Sequence, residues 1–222
     1  MKRCVVLATM SLVGMLCLDA STAGAQTPAP ASREQQMSVA VSGGPTLGHK
    51  GGAYIAVEFD WRLTNKIDIF AEGGHMGNVG TSALDDHASV IANALGLGVG
   101  STAIKVNHFD AGIRFNVTPP AQWPKVHPYV FLGAGFARAT TETTFTSNGT
   151  VVDPGIPLGG DLSGSTNKTI LLFGGGITYP FAKSYFIDVG YRFGGILSNV
   201  SDIENDQTIK TQRIMLGAGV RF

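Results

Sequence analysis

His87 and Ser89 stand two residues apart in D-H-A-S, a spacing that on a strand would put an imidazole base and a hydroxyl on one face, the beginnings of a hydrolytic pair. Their surroundings predict a loop instead, with a short helix capped by Ser82 and ending near Gly96, so both residues read as ordinary loop side chains. Neither G-x-S-x-G nor H-E-x-x-H occurs in the chain. In DIENDQT, Asp202, Glu204 and Asp206 alternate as oxygen donors to a divalent cation would. Gln207, however, occupies the place where a calcium loop needs glycine, and no distal glutamate follows, which makes a solvated acidic loop the expectation. His49, His75, His87, His108 and His127 are scattered without ligand spacing. The residues therefore predict no catalytic, cofactor or metal site, and the chemistry left to explain is that of charges inside strands.

Those charges follow a period of two. In YIAVEFDWRL, Ile55, Val57, Phe59, Trp61 and Leu63 share one face, while Glu58, Asp60 and Arg62 lie on the other. IDIFAEG sets Asp68, Phe70 and Glu72 against Ile67, Ile69 and Ala71. HFDAGIRFNV sets His108, Asp110 and Arg114 against Phe109, Ile113 and Phe115, and SYFIDVGYRFG sets Asp188 and Arg192 against Ile187, Val189 and Tyr191. The closing RIMLGAGVRF carries Arg213 and Arg221 opposite Ile214, Leu216, Val220 and Phe222. With the noisier MSVAVSGG, HPYVFLGAGFAR and TILLFGGGITY, eight strands are predicted. Short connections at 63–66, 118–127 and 180–184 alternate with long ones at 44–52, 77–103, 139–168 and 195–208, which in an up-and-down sheet gathers the long loops at one end.

Alternation alone leaves the inside undecided, since a soluble lipocalin-like barrel shows the same period with apolar residues inward. Composition decides. Glu58, Asp60, Asp68, Glu72, Asp110 and Asp188 face Arg62, Arg114, Arg192, Arg213 and Arg221 on a glycine-rich surface, a near-balanced set suited to a narrow lumen. The opposite face is aliphatic, with Trp61, Phe115, Tyr179, Tyr185 and Phe193 towards strand ends, as a lipid-facing band with aromatic girdles requires. His108 falls on the lumen side as a hydrogen-bonded interior residue. An all-β, closed eight-stranded antiparallel transmembrane barrel is the predicted fold, its lumen filled by side chains rather than open as a wide pore.

The whole-chain figures agree. Sixteen basic and sixteen acidic residues cancel, leaving no field to attract nucleic acid, and charged residues are only 14% of 222. Residues 1–25 read as a signal peptide: basic MKR, an apolar run, and Ala23-Gly24-Ala25 before the cut. Both cysteines, Cys4 and Cys17, lie within it, so the exported chain is expected to hold no disulfide or thiolate metal site. Cys17 follows Leu16, where a lipoprotein signal wants a small residue. Residues 26–36, with Pro28 and Pro30, read as a flexible lead-in to a barrel over 37–222.

The alternating final strand with terminal Phe222, the phrase HPYVFLGAGFA after a turn and IDVGYRFG before the last loop together resemble the small outer-membrane β-barrel proteins of Gram-negative bacteria, of the OmpA, OmpX and opacity-protein type. The resemblance implies residence in the cell outer membrane, contact with its lipids and lipopolysaccharide, and insertion by the barrel-assembly machinery with Phe222 as the assembly signal. The expected protein is a monomer with a structural, surface-interaction or adhesion role through loops 77–103 and 139–168, whose extracellular partner is unspecified. The chain carries no counterpart of the periplasmic peptidoglycan-binding domain of larger OmpA proteins, so cell-wall anchoring is not expected. A narrow porin-like channel is the alternative. Behind it stand a lipid-modifying enzyme, since some outer-membrane lipid deacylases use a pair related to His87 and Ser89, and a soluble exported binder.

Overall fold

The computed structural model describes residues 36–155, 162–197 and 208–222. The expected signal segment, most of the lead-in, and Asp202, Glu204, Asp206 and Gln207 of the acidic loop lie outside the described residues. The elements run β1 Met37–Leu47, β2 Gly52–Arg62, β3 Ile67–Met76, α1 Ser82–Leu95, β4 Gly98–Asn116, β5 His127–Ser147, β6 Thr150–Val152, β7 Gly164–Pro180, β8 Tyr185–Leu197 and β9 Ile209–Arg221. Every pairing is antiparallel, each long strand bonding its neighbours in the chain, and β1 bonds β9 to close the ring of eight. Strand β6 only folds back on the tip of β5, through an Asn148-Gly149 turn in which both residues take positive φ (49° and 80°), the twist a two-residue hairpin needs. Closure extends to the last residue: Phe222 N–H donates to Met37 O at 2.9 Å, and Met37 N–H donates to Phe222 O at 3.1 Å.

The two faces are opposed as the alternation requires for a membrane barrel. Ile55, Val57, Phe59 and Trp61 are 59, 52, 38 and 48% exposed, while Glu58, Asp60, Glu72, Asp110, Arg192 and Arg213 are buried. The lipocalin-like arrangement is excluded by that inversion. No helix among the described residues is long and apolar enough to cross a membrane; the strands do so, since closure satisfies every backbone N–H and C=O without water.

Strands β1, β4, β5, β7 and β8 outrun their predicted ends, β4, β5 and β7 the furthest. The loops expected over 77–103 and 139–168 are in part strand: β4 begins at Gly98, β5 continues to Ser147 and β7 begins at Gly164. The physical reason is a change of phase. Below the Phe109↔Phe136 pair, β4 and β5 turn Phe109, Ile113, Leu132 and Phe136 outward. Above it the inward positions become apolar, with Val106, Ile104, Ala137, Ala139 and Phe145, and the outward ones polar, with Lys105, Arg138 and Glu142. The backbone continues while its hydrophobic alternation slips by one, so a reading of apolar periodicity stops at the boundary. The first connection is correspondingly short, residues 48–51. Helix α1 ends at Gly96 in the left-handed conformation, as predicted, but its N-cap is Thr81, whose hydroxyl accepts from Leu84 N–H at 3.4 Å, rather than Ser82. Either hydroxyl suits an N-cap, so sequence cannot resolve a shift of one residue there.

Glycines on the inner face make room for large side chains from other strands. A β-carbon at Gly176 would lie 2.6 Å from Tyr129 Oη and 2.6 Å from the Val189 carbonyl, and one at Gly133 would lie 2.9 Å from Phe70 Cζ. On the outer face, Gly73 has only Phe109 at 4.0 Å. Overpacking of a filled interior costs about 1–3 kcal/mol. Gly176→Val should therefore lower the denaturant midpoint of the detergent-solubilised barrel by that order, while Gly73→Ala leaves it nearly unchanged; equal midpoints for the two would refute this account of the glycines.

Candidate functional site

The site grows from strand register. Glu58 on β2, Glu72 on β3 and Asp110 on β4 are successive cross-strand neighbours, a row of three carboxylates around one side of the lumen. Arg192 on β8 and Arg213 on β9 are likewise paired directly. Like charges set side by side repel, so neither row is stable alone, and the small bore brings the two together. Arg192 donates to Glu58 and, at 2.6 Å, lies against Glu72; Arg114 donates to Glu58 and approaches Asp60 at 3.0 Å. Arg213 lies 3.6 Å from Glu72 and donates to His108 Nε2 at 3.1 Å. A guanidinium cannot accept, so His108 accepts at Nε2 and its proton is on Nδ1, donated to Asp110 at 2.7 Å.

Aromatic rings fill the space between the charges. Arg192 lies over Phe131 (4.7 Å) and Phe70 (5.7 Å), Arg114 over Tyr129 (4.3 Å), Arg213 over Tyr54 (4.6 Å) and Arg221 over Phe186 (4.9 Å). Tyr129 donates to Asp188 at 2.6 Å, and Thr178 donates to the other oxygen at 3.3 Å. Of these rings, Phe70 already falls on the charged face of IDIFAEG between Asp68 and Glu72; parity points to Tyr54 as well, which shares a face with Glu58.

The predicted lumen charges thus divide. Glu58, Asp60, Glu72, Asp110, Arg114, Arg192 and Arg213 form one connected cluster, and Asp188 is held separately by Tyr129 and Thr178. Arg62 and Asp68, 3.5 Å apart, stand with Arg221 at the turn-end mouth, lining a small polar recess with Ser38 and Asp60. Among the described residues, Glu72, His108 and Asp110 are the group that could hold a metal ion, their ligand atoms lying within 4.8 Å of one another. The lone pair a metal would take on His108 already accepts from Arg213, which supplies the positive charge itself.

Towards the loops the lumen turns apolar. Met76, Val106, Ile170, Leu172 and Ile196 are buried there together with Leu84, Ala88 and Ala92 from one face of α1, which lies across this end as a lid. A polar latch joins the lid to the first loop and to β4: Lys50 Nζ reaches Asp85 at 2.7 Å and the Thr102 carbonyl at 3.2 Å, His49 meets Asp85 at 3.0 Å, and the Thr102 hydroxyl donates to Asp85. Desolvation would raise the Asp85 carboxyl, but hydrogen bonds from Lys50, Thr102 and His49 together outweigh it and bring it down to about 2. His87 and Ser89 lie on the exposed side of α1, and Ser89 donates to the Asp85 carbonyl at 2.8 Å. Two residues apart on a helix they diverge, so the structure does not assemble them as a pair.

The sequence profile of the family described as "Outer membrane protein beta-barrel domain" matches residues 15–222. No curated protein sequence matches the chain. Among solved structures, Neisserial surface protein A is similar at 13% identity and TM-score 0.54, over 84% of this chain and 96% of that one. Ail, the attachment invasion locus protein of Yersinia pestis, is similar at 20% identity and TM-score 0.44, over 84% and 97%. The outer membrane enzyme PagL is similar at 13% identity and TM-score 0.40, over 83% and 99%. At these identities the likeness speaks for the fold alone.

Removing one partner of a buried ion pair costs about 3–5 kcal/mol, because the other charge is left uncompensated. Arg192→Met should destabilise the barrel by that order in denaturant titrations, and adding Glu72→Gln should restore part of the loss; no restoration would mean that the pair does not act as a unit. The lid has its own pH window. A carboxyl whose folded pKa lies below its unfolded value stabilises above the unfolded value, near 3.8, and loses that contribution as pH falls through about 2. Hydrogen-exchange protection of residues 82–95 should hold from neutrality to about pH 4 and drop towards pH 2, and Asp85→Asn should lower it throughout; a drop centred near neutrality would exclude Asp85 as the latch.

Proposed function

The chain belongs to the outer membrane protein β-barrel family and resides in the cell outer membrane, and we propose that it serves there as a sealed, non-catalytic scaffold whose loop end mediates surface interaction or adhesion. One observation carries this reading: the lumen is filled along its length, by the Glu58–Arg192–Arg213 cluster in the middle and by the apolar plug under α1 at the loop end. A permeating ion would have to shed its water against Met76, Ile170 and Leu172, which makes passage costly.

What remains available for work is the part of the sheet above the lipid band. From Arg138 to Ser147, β5 continues for a further ten residues, accompanied by β4 as far as Thr146 and by β7 as far as Thr141, which at about 3.4 Å per residue raises a ridge on the order of 30 Å long. Its outer face carries Ser101, Thr140, Thr144 and Ser165, cross-linked as Ser101–Thr144 at 2.9 Å and Thr140–Ser165 at 2.8 Å, with the Lys105–Glu142 ion pair at 2.7 Å. A stiff polar sheet of this kind suits recognition of a polar partner by hydrogen bonds.

On the same reading residues 1–25 direct export and residues 26–36 lead into a barrel over 37–222. The barrel works as a monomer surrounded by outer-membrane lipids and lipopolysaccharide, and Phe222 is the signal for the barrel-assembly machinery. Protein reconstituted in planar bilayers should carry no current above background. Cells displaying it should adhere to surfaces better than cells lacking it, and excision of the hairpin tip, residues 146–151, should remove the difference while the heat-dependent gel shift of the barrel persists. Discrete conductance steps would overturn the sealed scaffold, and adhesion indifferent to the excision would overturn the assignment to the loop-end platform.

A further inference from the structure

The turn end has a chemistry that neither the lumen nor the loop platform uses. Each of the three turns pairs an exposed lysine with an exposed apolar side chain: Lys66 with Leu63, Lys125 with Trp123, and Lys183 with Phe181. Leu63, Trp123 and Phe181 are 53, 67 and 57% exposed, Trp123 at the tip of a turn held by Trp123 N–H donating to Pro120 O at 2.9 Å and Val126 N–H to Trp123 O at 2.9 Å. No aspartate or glutamate occurs in any of the three turns, over 63–66, 117–126 and 181–184. Asp60 and Asp68, at the mouth, are buried and engaged by Ser38, Arg62 and Asn116; the terminal carboxyl of Phe222 lies at the same end, an oxygen of it accepting from Met37 N–H at 3.1 Å. The loop end, by contrast, mixes both signs, with Asp85, Asp86, Glu142 and Asp153 beside Lys50 and Lys105.

We infer that the turns form a binding rim for anionic phospholipid headgroups, with Lys66, Lys125 and Lys183 holding phosphates and Leu63, Trp123 and Phe181 seated at the level where headgroup meets acyl chain. The placement is what each group needs. Tryptophan is stable at a membrane interface, where its ring is apolar and its N–H is wet. Lysine on a flexible stem reaches a phosphate from the rim, and one lysine near an anionic surface contributes about 1 kcal/mol, roughly a fivefold preference. The outward girdle directly beneath, with Trp61, Phe115, Tyr179 and Tyr185, is continuous with this rim, so the lipid that wets the barrel wall meets the lysines at its head.

This inference rests on the membrane orientation proposed above, and one experiment separates the two. Trp61→Phe leaves Trp123 as the only tryptophan of the chain. That variant is reconstituted into phosphatidylcholine vesicles containing equal mole fractions of either brominated phosphatidylglycerol or brominated phosphatidylcholine, and folding is checked by the heat-dependent gel shift. The expected result is stronger quenching of Trp123 by the anionic lipid, with the excess lost in high salt and in Lys66→Gln/Lys125→Gln/Lys183→Gln, whose folded fraction is scored by the same shift. Equal quenching by both lipids, or an excess that survives either high salt or loss of the lysines, overturns the headgroup rim alone. Absence of quenching by either lipid overturns the orientation as well.

Discussion

A row of three carboxylates cannot stand unpaired inside a barrel of eight strands, and the rest of the architecture answers that constraint. Glu58, Glu72 and Asp110 are cross-strand neighbours on β2, β3 and β4, and Arg192 and Arg213 are neighbours on β8 and β9. Each set is repulsive within itself and becomes stable only when the ring closes and sets it opposite the other. Closure and charge matching therefore require one another. A register slip of one residue would turn Arg192 or Arg213 to the lipid, at about 2–4 kcal/mol each near the midplane, and a slip of two would carry an acid out of its row. The charges make register specific where hydrophobicity is a weak guide, because the surrounding lipid is itself apolar.

Above the Phe109↔Phe136 pair the solvent changes and the packing logic changes with it. At the level of the band, lipid surrounds the wall, burial of apolar groups inward gains little, and the lumen is held by ion pairs and by arginines lying over Phe70, Phe131, Tyr54 and Tyr129. Beyond the band, water surrounds the wall and ordinary hydrophobic burial returns. Ile104, Val106, Ala139 and Phe145 then point inward, and α1 covers them with Leu84, Ala88 and Ala92. The lid is thus a soluble-protein element set on a membrane-protein wall. Its latch is polar because Lys50 and Asp85 sit at its rim, where water reaches them, with Thr102 buried beneath.

That change of logic explains what could be read from the sequence. The period of two in YIAVEFDWRL, HFDAGIRFNV and RIMLGAGVRF marks strands because each segment lies within the band, and the composition of the two faces, not the period, points to which one is inside. The extensions of β4 and β5 are illegible for the same reason: passing His108 in β4 the apolar positions move from odd to even numbers, and passing Phe136 in β5 from even to odd, which along a sequence looks like the end of a strand. The noisy segments HPYVFLGAGFAR and TILLFGGGITY are noisy because both faces are apolar, with Tyr129, Phe131, Ile170 and Leu172 lining the interior while Val130, Leu132, Leu171 and Phe173 face outward. Which acid meets which arginine depends on register between strands more than a hundred residues apart, as for Glu58 and Arg192, and no local pattern carries that information.

The asymmetry of the two ends follows from the same physics. Strands that close by ion pairs need no apolar cover at the turn end, so Arg62, Asp68 and Arg221 can stand at a small open mouth beside turns a few residues long. At the loop end the long strands expose an apolar interior to water and must be covered, which commits the 77–97 connection to a helix rather than to a free loop. A cover held by burial of Leu84, Ala88 and Ala92 closes the lumen more firmly than the charge cluster alone would, because charges in a bore still admit water and counter-ions whereas a packed apolar layer admits neither. The sealing layer and the presented surface are therefore one construction: the strands long enough to raise a polar platform above the membrane are the strands whose inner faces oblige the barrel to be plugged.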